Sequence, residues 1–474
     1  MNIRHQSQWK KSQCVFMNWN WKFRAVWMLC LGVNDMNREM KDSRVEWLGE
    51  IPKDWKVTKI KHKFKIVAGA TPKSEQKENF DGNIIWITPA DYKTTDKYVF
   101  VGKRNLSNIG YESCNTTIVP AGSIIFSKRA PIGSVAIAQT ELCTNQGCLS
   151  CVKKENVDQR YFYFLMGILT EEFKLLGTGT TFKEISAFSF ANFRMPCPSI
   201  GEQVRIATFL EKKCGKIENI IQNSKASIEE YKKLKQAIII RGVTKGIRNV
   251  RPMKESGIEW IGEIPVSWNL VPFRHVLKER IEKNNPIKST ERLSLSIDLG
   301  VTLYSEKTTN LDRFKDDFEQ YKVAHKGDLV MNSMNMIVGA SGQSDYFGCV
   351  SPAYYTFYDE TEGHCTAKYC EYVFRSKAML RILFSLGKGI YAIVRGDDRV
   401  NTCRLKVSKE DLKNIVIPVP PLEEQREIVK YLNEKCGEIN GIIAKKEQFI
   451  SEMENYKKSL IYEYVTGKKE VPEI

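Results

Sequence analysis

One segment of the chain occurs twice without a gap, and each copy reads as a helix too long to stand alone. Glu202-Gln203 returns as Glu424-Gln425, Leu210 as Leu432, Lys213-Cys214-Gly215 as Lys435-Cys436-Gly437, Ile217 as Ile439, Ile221 as Ile443, Ile228 as Ile450 and Val243-Thr244 as Val465-Thr466. The shift is constant at 222 residues, as 424 − 202 shows. Ser199 followed by Glu202 reads as a capping box, each side chain satisfying a backbone donor that the first helical turn leaves free. Downstream, Leu210, Cys214, Ile217, Ile221, Ser224, Ile228, Tyr231, Leu234 and Ile238 recur at steps of three and four, the spacing of one apolar seam. The faces between them carry Lys, Glu, Gln and Asn. A continuous helix of roughly 40 residues, at about 1.5 Å each, is on the order of 60 Å long. Such a rod needs a partner, and the second copy supplies one: seams related by a twofold axis pack antiparallel. Gly215 and Gly437 lie inside the predicted helices, where glycine costs about 1 kcal/mol relative to alanine, so a bend is expected at each.

A second repeat precedes each rod. Met40-Lys41-Asp42-Ser43-Arg44-Val45-Glu46-Trp47-Leu48-Gly49-Glu50-Ile51-Pro52 matches Met253-Lys254-Glu255-Ser256-Gly257-Ile258-Glu259-Trp260-Ile261-Gly262-Glu263-Ile264-Pro265, a shift of 213 (253 − 40). The chain is thus a tandem of two units, each a globular block followed by a rod. The expected boundaries are a leader at 1–39, a first block at 40–198, a first spacer helix region at 199–247, a second block at 253–420 and a second spacer helix region at 421–468. The leader is expected to be disordered, or to lie ahead of a translation start at Met36 or Met40. Its apolar run, Ala25 to Val33, is nine residues long and too short to span a membrane. The blocks read as α+β. In the first, short β runs at Ile84–Ile87, Tyr98–Val101, Ser123–Phe126 and Val135–Ala138 are broken by Gly, Pro and Asn, and a helix is predicted from Asp158 to Leu176.

The formal charge of +16 favours a polyanionic partner. Thirteen cysteines without framework spacing point to a reducing compartment and a cytoplasmic protein. Cys143, Cys148 and Cys151 are the best candidate metal ligands, but a structural zinc site wants four ligands in paired spacing, so they read as buried thiols. Candidate nucleic-acid contacts lie in loops. Ser127-Lys128-Arg129-Ala130-Pro131-Ile132-Gly133 joins two predicted strands and can present Arg129 to a guanine edge and Lys128 to a phosphate; a solvated hairpin tip is the alternative. Gly177 to Lys183, with Thr180, Thr181 and Lys183, can hug a nucleic-acid backbone because glycine permits close approach. It lacks the Gly-Lys-Ser/Thr ending of a phosphate loop. In the second block, Gly327 to Met331 matches Gly122 to Phe126, yet the loop that follows is amide-rich: Asn332, Asn335 and neighbours. Amides suit adenine as guanidinium suits guanine, unless the asparagines only serve the turn. Lys388 and Arg395 occupy the place of Gly177 to Lys183. Catalytic signals are missing: there is no Asn/Asp-Pro-Pro-aromatic tetrapeptide and no Gly-rich S-adenosylmethionine loop. Glu75-Gln76-Lys77 is expected by chance, and His5, His62, His275, His325 and His364 are too dispersed for a ligand set.

The duplicated Ile/Val-Glu-Trp-Leu/Ile-Gly-Glu-Ile-Pro segment, the helix starts Pro196-Cys197-Pro198 to Gln203 and Pro418-Val419-Pro420 to Gln425, and the rods ending near Val-Thr-Gly resemble the specificity subunits of Type I restriction-modification systems. The resemblance covers nearly all of residues 40–468; Lys245, between Thr244 and Gly246, departs from it. It implies two α+β target-recognition domains separated by a pair of long antiparallel coiled-coil helices with internal pseudo-twofold symmetry, each domain reading half of a bipartite, asymmetric site on double-stranded DNA. It implies that the spacer helices dock two methyltransferase subunits, with Glu202, Gln203, Leu210, Ile217, Ile221, Glu424, Gln425, Leu432, Ile439 and Ile443 as the helix residues concerned, and that restriction subunits join the assembly. On that reading the chain is not an enzyme and holds no cofactor: S-adenosylmethionine, Mg and ATP belong to partner subunits, and no membrane is involved. The alternative is a coiled-coil adaptor that does not read DNA sequence. The target sequence does not carry over, because recognition domains vary too much within the family.

Overall fold

Both rods are single helices, Ile200–Lys245 and Leu422–Val465, in a computed structural model that describes residues 38–93, 96–179, 183–248, 250–297, 299–307, 317–361, 363, 365–389 and 405–472. The leader through residue 37, with Thr180, Thr181, His5, His364 and Arg395, lies outside the described residues. The division into two helices expected at Gly215 and Gly437 does not occur. Helix continues through both, and a Cβ built on either glycine meets nothing within 4 Å. Gly215 is half-buried with open space where a Cβ would sit, so its cost in the helix is entropic, and Gly215→Ala is expected to stabilise the protein by about 1 kcal/mol, read as a higher midpoint in urea denaturation.

The chain divides into two compact units, and the division cuts through both helices instead of falling between block and spacer. One unit runs to Gln222 and takes in the chain from Ile450 onward; the other runs from Asn223 to Phe449. The reason is packing, since each block shares a core with the helix segments beside it.

In the first unit, Met40–Asp42 pairs antiparallel with Glu50–Pro52, and Lys56–Lys59 pairs with Arg194–Cys197. A five-stranded sheet follows in the spatial order Phe64–Ala68, Cys148–Lys153, Ile124–Ser127, Val135–Ala138, Tyr98–Val99. The β runs sit close to their predicted places, although Ile85 interrupts the first and the second ends at Val99. The helix predicted from Asp158 to Leu176 is two, Gln159–Ile168 and Thr170–Leu176, with Leu169 buried at the break. Phe126 of the sheet packs with Phe173 and Phe190 at ring separations of 4.4–5.5 Å. The two helix segments of this unit run antiparallel: the Phe209 ring lies 4.6 Å from Tyr464, and farther along Lys457 pairs with Glu218.

The second unit repeats the plan. Met253–Glu255 pairs with Glu263–Pro265, and Asn269–Pro272 with Val416–Val419. Its main sheet has the order Lys278–Glu279, Tyr354–Tyr358, Leu329–Asn332, Ser341–Gln343, and Cys365–Arg375 and Lys377–Leu386 form its helices. Its helix segments are also antiparallel: the Lys235 ammonium donates to Asn440 at 2.8 Å, and Arg248 pairs with Glu427 at 2.9 Å. The seam is not the one expected beyond Tyr231. Leu234 is 49% exposed, while Ile239 and Val243 are buried with Trp268, Phe273 and Leu432. Steps of four from Lys235 turn this part of the helix towards the block's own core.

The start of each rod is an anchor. The indole of Trp55 donates to Glu202 at 2.8 Å and that of Trp268 to Glu424 at 2.9 Å. Arg38 pairs with Glu202 and Arg251 with Glu424. The capping box is therefore half made: Ser199 Oγ accepts from the Glu202 backbone at 3.3 Å, but the Glu202 carboxylate is committed to Trp55 and Arg38. The amide of Gln203 donates to the Pro198 carbonyl, and that of Gln425 to Pro420, both at 2.9 Å. At the far ends, the Tyr161 hydroxyl donates to the Val465 carbonyl at 2.8 Å, and the Tyr369 hydroxyl to that of Val243 at 3.1 Å. The same four contacts, made twice by residues that correspond in the repeat, are the internal pseudo-symmetry at atomic level.

Candidate nucleic-acid interface

The loop from Lys128 to Ser134 connects strands Ile124–Ser127 and Val135–Ala138, closed by Ser127 donating from its backbone to Ser134 at 2.9 Å. Its hairpin geometry is fixed from inside, since the Ser127 hydroxyl also donates to the Arg129 carbonyl at 3.0 Å. The second candidate segment comes to this loop. The backbones of Thr178 and Glu184 exchange hydrogen bonds at 3.0 Å, and the Ile185 amide donates to the Lys128 carbonyl at 3.1 Å. Two stretches about fifty residues apart therefore form one surface.

At its centre is a residue the sequence reasoning missed. The Glu184 carboxylate takes Lys128 Nζ on one oxygen at 2.7 Å and Arg129 Nη1 on the other at 3.4 Å. Neither cation is free, as a solvated tip or an open reading head would have it. The Lys128 side chain keeps 15% of its exposure, Arg129 36% and Glu184 38%. The Lys128 hydrogen bond, with the charges of Lys128 and Arg129, holds the Glu184 carboxyl below the usual 4.5. This depressed value means that the link stabilises fully above the ordinary glutamate range and is lost as pH falls through the lowered one. Lys183 is exposed beside it.

The second unit builds the same surface from other side chains. Strands Leu329–Asn332 and Ser341–Gln343 flank the loop, the Val407 amide donates to the Ser333 carbonyl at 3.0 Å, and Lys388 and Lys406 exchange backbone hydrogen bonds at 2.9–3.0 Å. Ser186 and Ser408 cap the short helices that follow, each accepting from a backbone amide at 3.0 Å. Where the first unit has Lys128, Arg129 and Glu184, the second has Ser333, Met334 and Lys406. Asn332 is buried, and its side-chain oxygen accepts from the Met334 amide at 3.0 Å, so it serves the turn. Asn335 is exposed, its carbonyl accepting from Val338 and Ala340 at 3.1 Å. Lys388 is exposed and pairs with Asp411 at 3.1 Å. The signal that would have found Glu184 and Lys406 is in the sequence: the shift of 222 continues upstream and aligns Ile185-Ser186 with Val407-Ser408 (407 − 185), placing Glu184 opposite Lys406.

The rod residues sit differently from a docking face. Glu202, Gln203, Glu424, Gln425, Leu210, Ile217, Ile221, Leu432 and Ile439 are buried within the chain, and Ile443 is half-buried. They hold the chain to itself and leave the polar faces between them outward. Among the described residues no group of three or more His, Cys, Asp or Glu is arranged to hold a metal ion. Burial pushes the Cys143 thiol up to about 11 and that of Cys148 to about 12, so both are uncharged near neutral pH. No helix among the described residues is long and apolar enough to cross a membrane.

The family model described as Type I restriction modification DNA specificity domain matches residues 52–230 and 305–451. The Type I restriction enzyme MjaIX specificity subunit of Methanocaldococcus jannaschii is 34% identical over 247 residues, which cover 50% of this chain and 55% of that protein. The chain thus spans about half the length of that relative. The MjaVIII specificity subunit of the same organism is 22% identical over 438 residues, 88% of this chain and 93% of the relative. A solved chain described under complex assembly and conformational transition of the type I R-M system has a TM-score of 0.62 at 15% identity and covers 88% of this chain and 98% of that one, a likeness of fold. With both repeats matched by one family model and both built on one scaffold, the chain belongs to the Type I restriction modification DNA specificity family.

Proposed function

We propose that this chain is the DNA-reading subunit of a Type I restriction-modification complex, in which two recognition surfaces of different chemistry read the two parts of a bipartite, asymmetric duplex site. The observation that carries the reading is the pair of loops themselves. The same backbone hydrogen bonds present Lys128, Arg129 and Glu184 in one unit and Ser333, Met334, Asn335 and Lys406 in the other. A scaffold held constant while its tips change is what reading two sequences requires, whereas an adaptor that ignored sequence would have no use for the difference. The gap between the half-sites would follow from helix length, and the polar faces of the long helices would dock two methyltransferase subunits, with restriction subunits joining them. Methyl transfer and cleavage, and with them S-adenosylmethionine, Mg and ATP, are assigned to those partners. This chain alone, incubated with duplex DNA and labelled S-adenosylmethionine, is expected to transfer no label; incorporation would contradict the non-catalytic role.

The two cations separate in their effects. Arg129→Ala is expected to relax preference at one base pair by about 1–3 kcal/mol, because a guanidinium can bond the guanine edge bidentately. Lys128→Ala is expected to weaken binding to all sequences alike and to flatten the salt dependence by about one counterion. Selection from a randomised duplex library by the reconstituted complex checks both, and an equal loss on every sequence for both variants would refute the division of roles.

A further inference from the structure

We infer that Glu184 is a specificity-setting carboxylate: it occupies Lys128 and Arg129 in the unbound protein and yields them only to a duplex that offers better hydrogen-bonding geometry than its own. The inference rests on the proposed reading of DNA and adds to it a competitor inside the recognition surface. The two cations divide the two oxygens of one carboxylate, Lys128 Nζ at 2.7 Å and Arg129 Nη1 at 3.4 Å. The shorter contact is a good charge-assisted hydrogen bond and the longer one a weak ion pair, so Arg129 is the cation more easily released.

The position is built, not incidental. Glu184 is fixed on both sides, its backbone paired with Thr178 at 3.0 Å and its neighbour Ile185 bonded to the Lys128 carbonyl at 3.1 Å. The carboxylate is therefore delivered to the cations by the same hydrogen bonds that shape the surface. In the other unit the equivalent backbone position holds Lys406, whose amide and carbonyl make the corresponding pair with Lys388. A carboxylate here is thus not demanded by the fold. It belongs to the surface that carries two adjacent cations.

A lone phosphate attracts Lys128 and Arg129 by charge, but any duplex supplies phosphates, so bare cations bind every sequence. One intervening negative charge cuts that attraction, and it penalises most the ligands that offer charge without geometry. A guanine edge offers Arg129 two aligned acceptors and can displace one oxygen held at 3.4 Å. Loss of general affinity is exchanged for discrimination, which is the logic of specificity by repulsion of the wrong partner.

The test uses the full chain in its reconstituted complex, a fluorescent random-sequence duplex and a randomised duplex library. Glu184→Gln removes the charge and keeps the shape. It is expected to bind the random-sequence duplex about fivefold tighter at low salt, the factor that one unit charge about 4 Å from another carries in water. Its salt dependence should steepen, and the selected motif should lose information at one position of one half-site. Glu184→Asp, which keeps the charge but draws it back by one methylene, is expected to fall between the wild type and Glu184→Gln in both assays, and a urea midpoint for Glu184→Gln close to that of the wild type excludes a variant that merely folds poorly. Unchanged or weaker random-duplex binding by Glu184→Gln, with an intact motif, overturns the inference while leaving the DNA-reading role standing. A wild-type complex that selects no motif overturns both.

Discussion

Glu424→Ala is expected to lower folding stability by about 3–5 kcal/mol, the cost of removing one partner from a buried ion pair. The Glu424 side chain is 3% exposed and Arg251 15%, so the arginine would be left charged in a largely dry site. The Trp268 indole, fully buried, would lose the acceptor it holds at 2.9 Å. Glu424→Gln keeps an acceptor for the indole and should cost less. Urea denaturation of the full chain measures both, and a loss below about 1 kcal/mol for the alanine variant would show that the anchor at the start of the helix is not what holds block and rod together. The repeat predicts a parallel result for Glu202→Ala at the contact with Trp55 and Arg38. Both substitutions strike the junction at which a globular block fixes the direction of its rod.

Phe126→Ala is expected to cost a further large amount, about 3–5 kcal/mol, because it opens a cavity where no water compensates. Phe126 is fully buried, its ring 4.4 Å from Phe190 and 4.8 Å from Phe173. The consequence for function is specific to its place. Ser127, the next residue, closes the hairpin that carries Lys128 and Arg129, and Phe190 lies in the short helix that follows Glu184. The same three rings therefore support both stretches of the recognition surface. Loss of sequence discrimination is expected together with loss of stability, whereas Phe126→Leu should retain most of both. Thermal denaturation and library selection on one preparation give the comparison, and a destabilised variant with an unaltered motif would separate the core from the reading surface.

The repeat makes most of the architecture legible in the sequence alone. A gap-free duplication of Glu202-Gln203, Leu210, Ile217 and Val243-Thr244 specifies two equivalent helices, and their one-sided seams call for antiparallel pairing, which both units contain. What could not be read was which contacts the seam would choose. Leu234 fits the spacing as well as Ile239 and Val243 do, yet it is exposed while those two are buried with Trp268 and Phe273, and Ile238 packs partly buried against the same core. Glycine misled for a related reason. Gly215 predicts a bend from local propensity alone, but a helix packed along its whole length outweighs about 1 kcal/mol at one position.

The recognition surface was half legible. Strand, turn and cations announced the loop at Lys128 and Arg129, and the glycines announced the segment at Gly177. That the two stretches meet is tertiary information, carried by hydrogen bonds between backbones that no spacing encodes. The alignment of Ile185-Ser186 with Val407-Ser408 marks the place of Glu184 in the sequence but not its role, which comes from its two neighbours in space. The capping box is only half made for the same reason. Glu202 has the right spacing to Ser199, yet a buried indole and a guanidinium are stronger claims on a carboxylate than a backbone amide at a helix start.

The central claim is that one chain carries two readers of different sequence, and base-resolution sequencing of methylated adenines in a host with and without the gene tests it most directly. The result predicted is a gene-dependent split motif, asymmetric between its halves, with a constant gap and adenine methylation on both strands. A continuous motif, two identical half-sites, or a methylation pattern indifferent to the gene would contradict it.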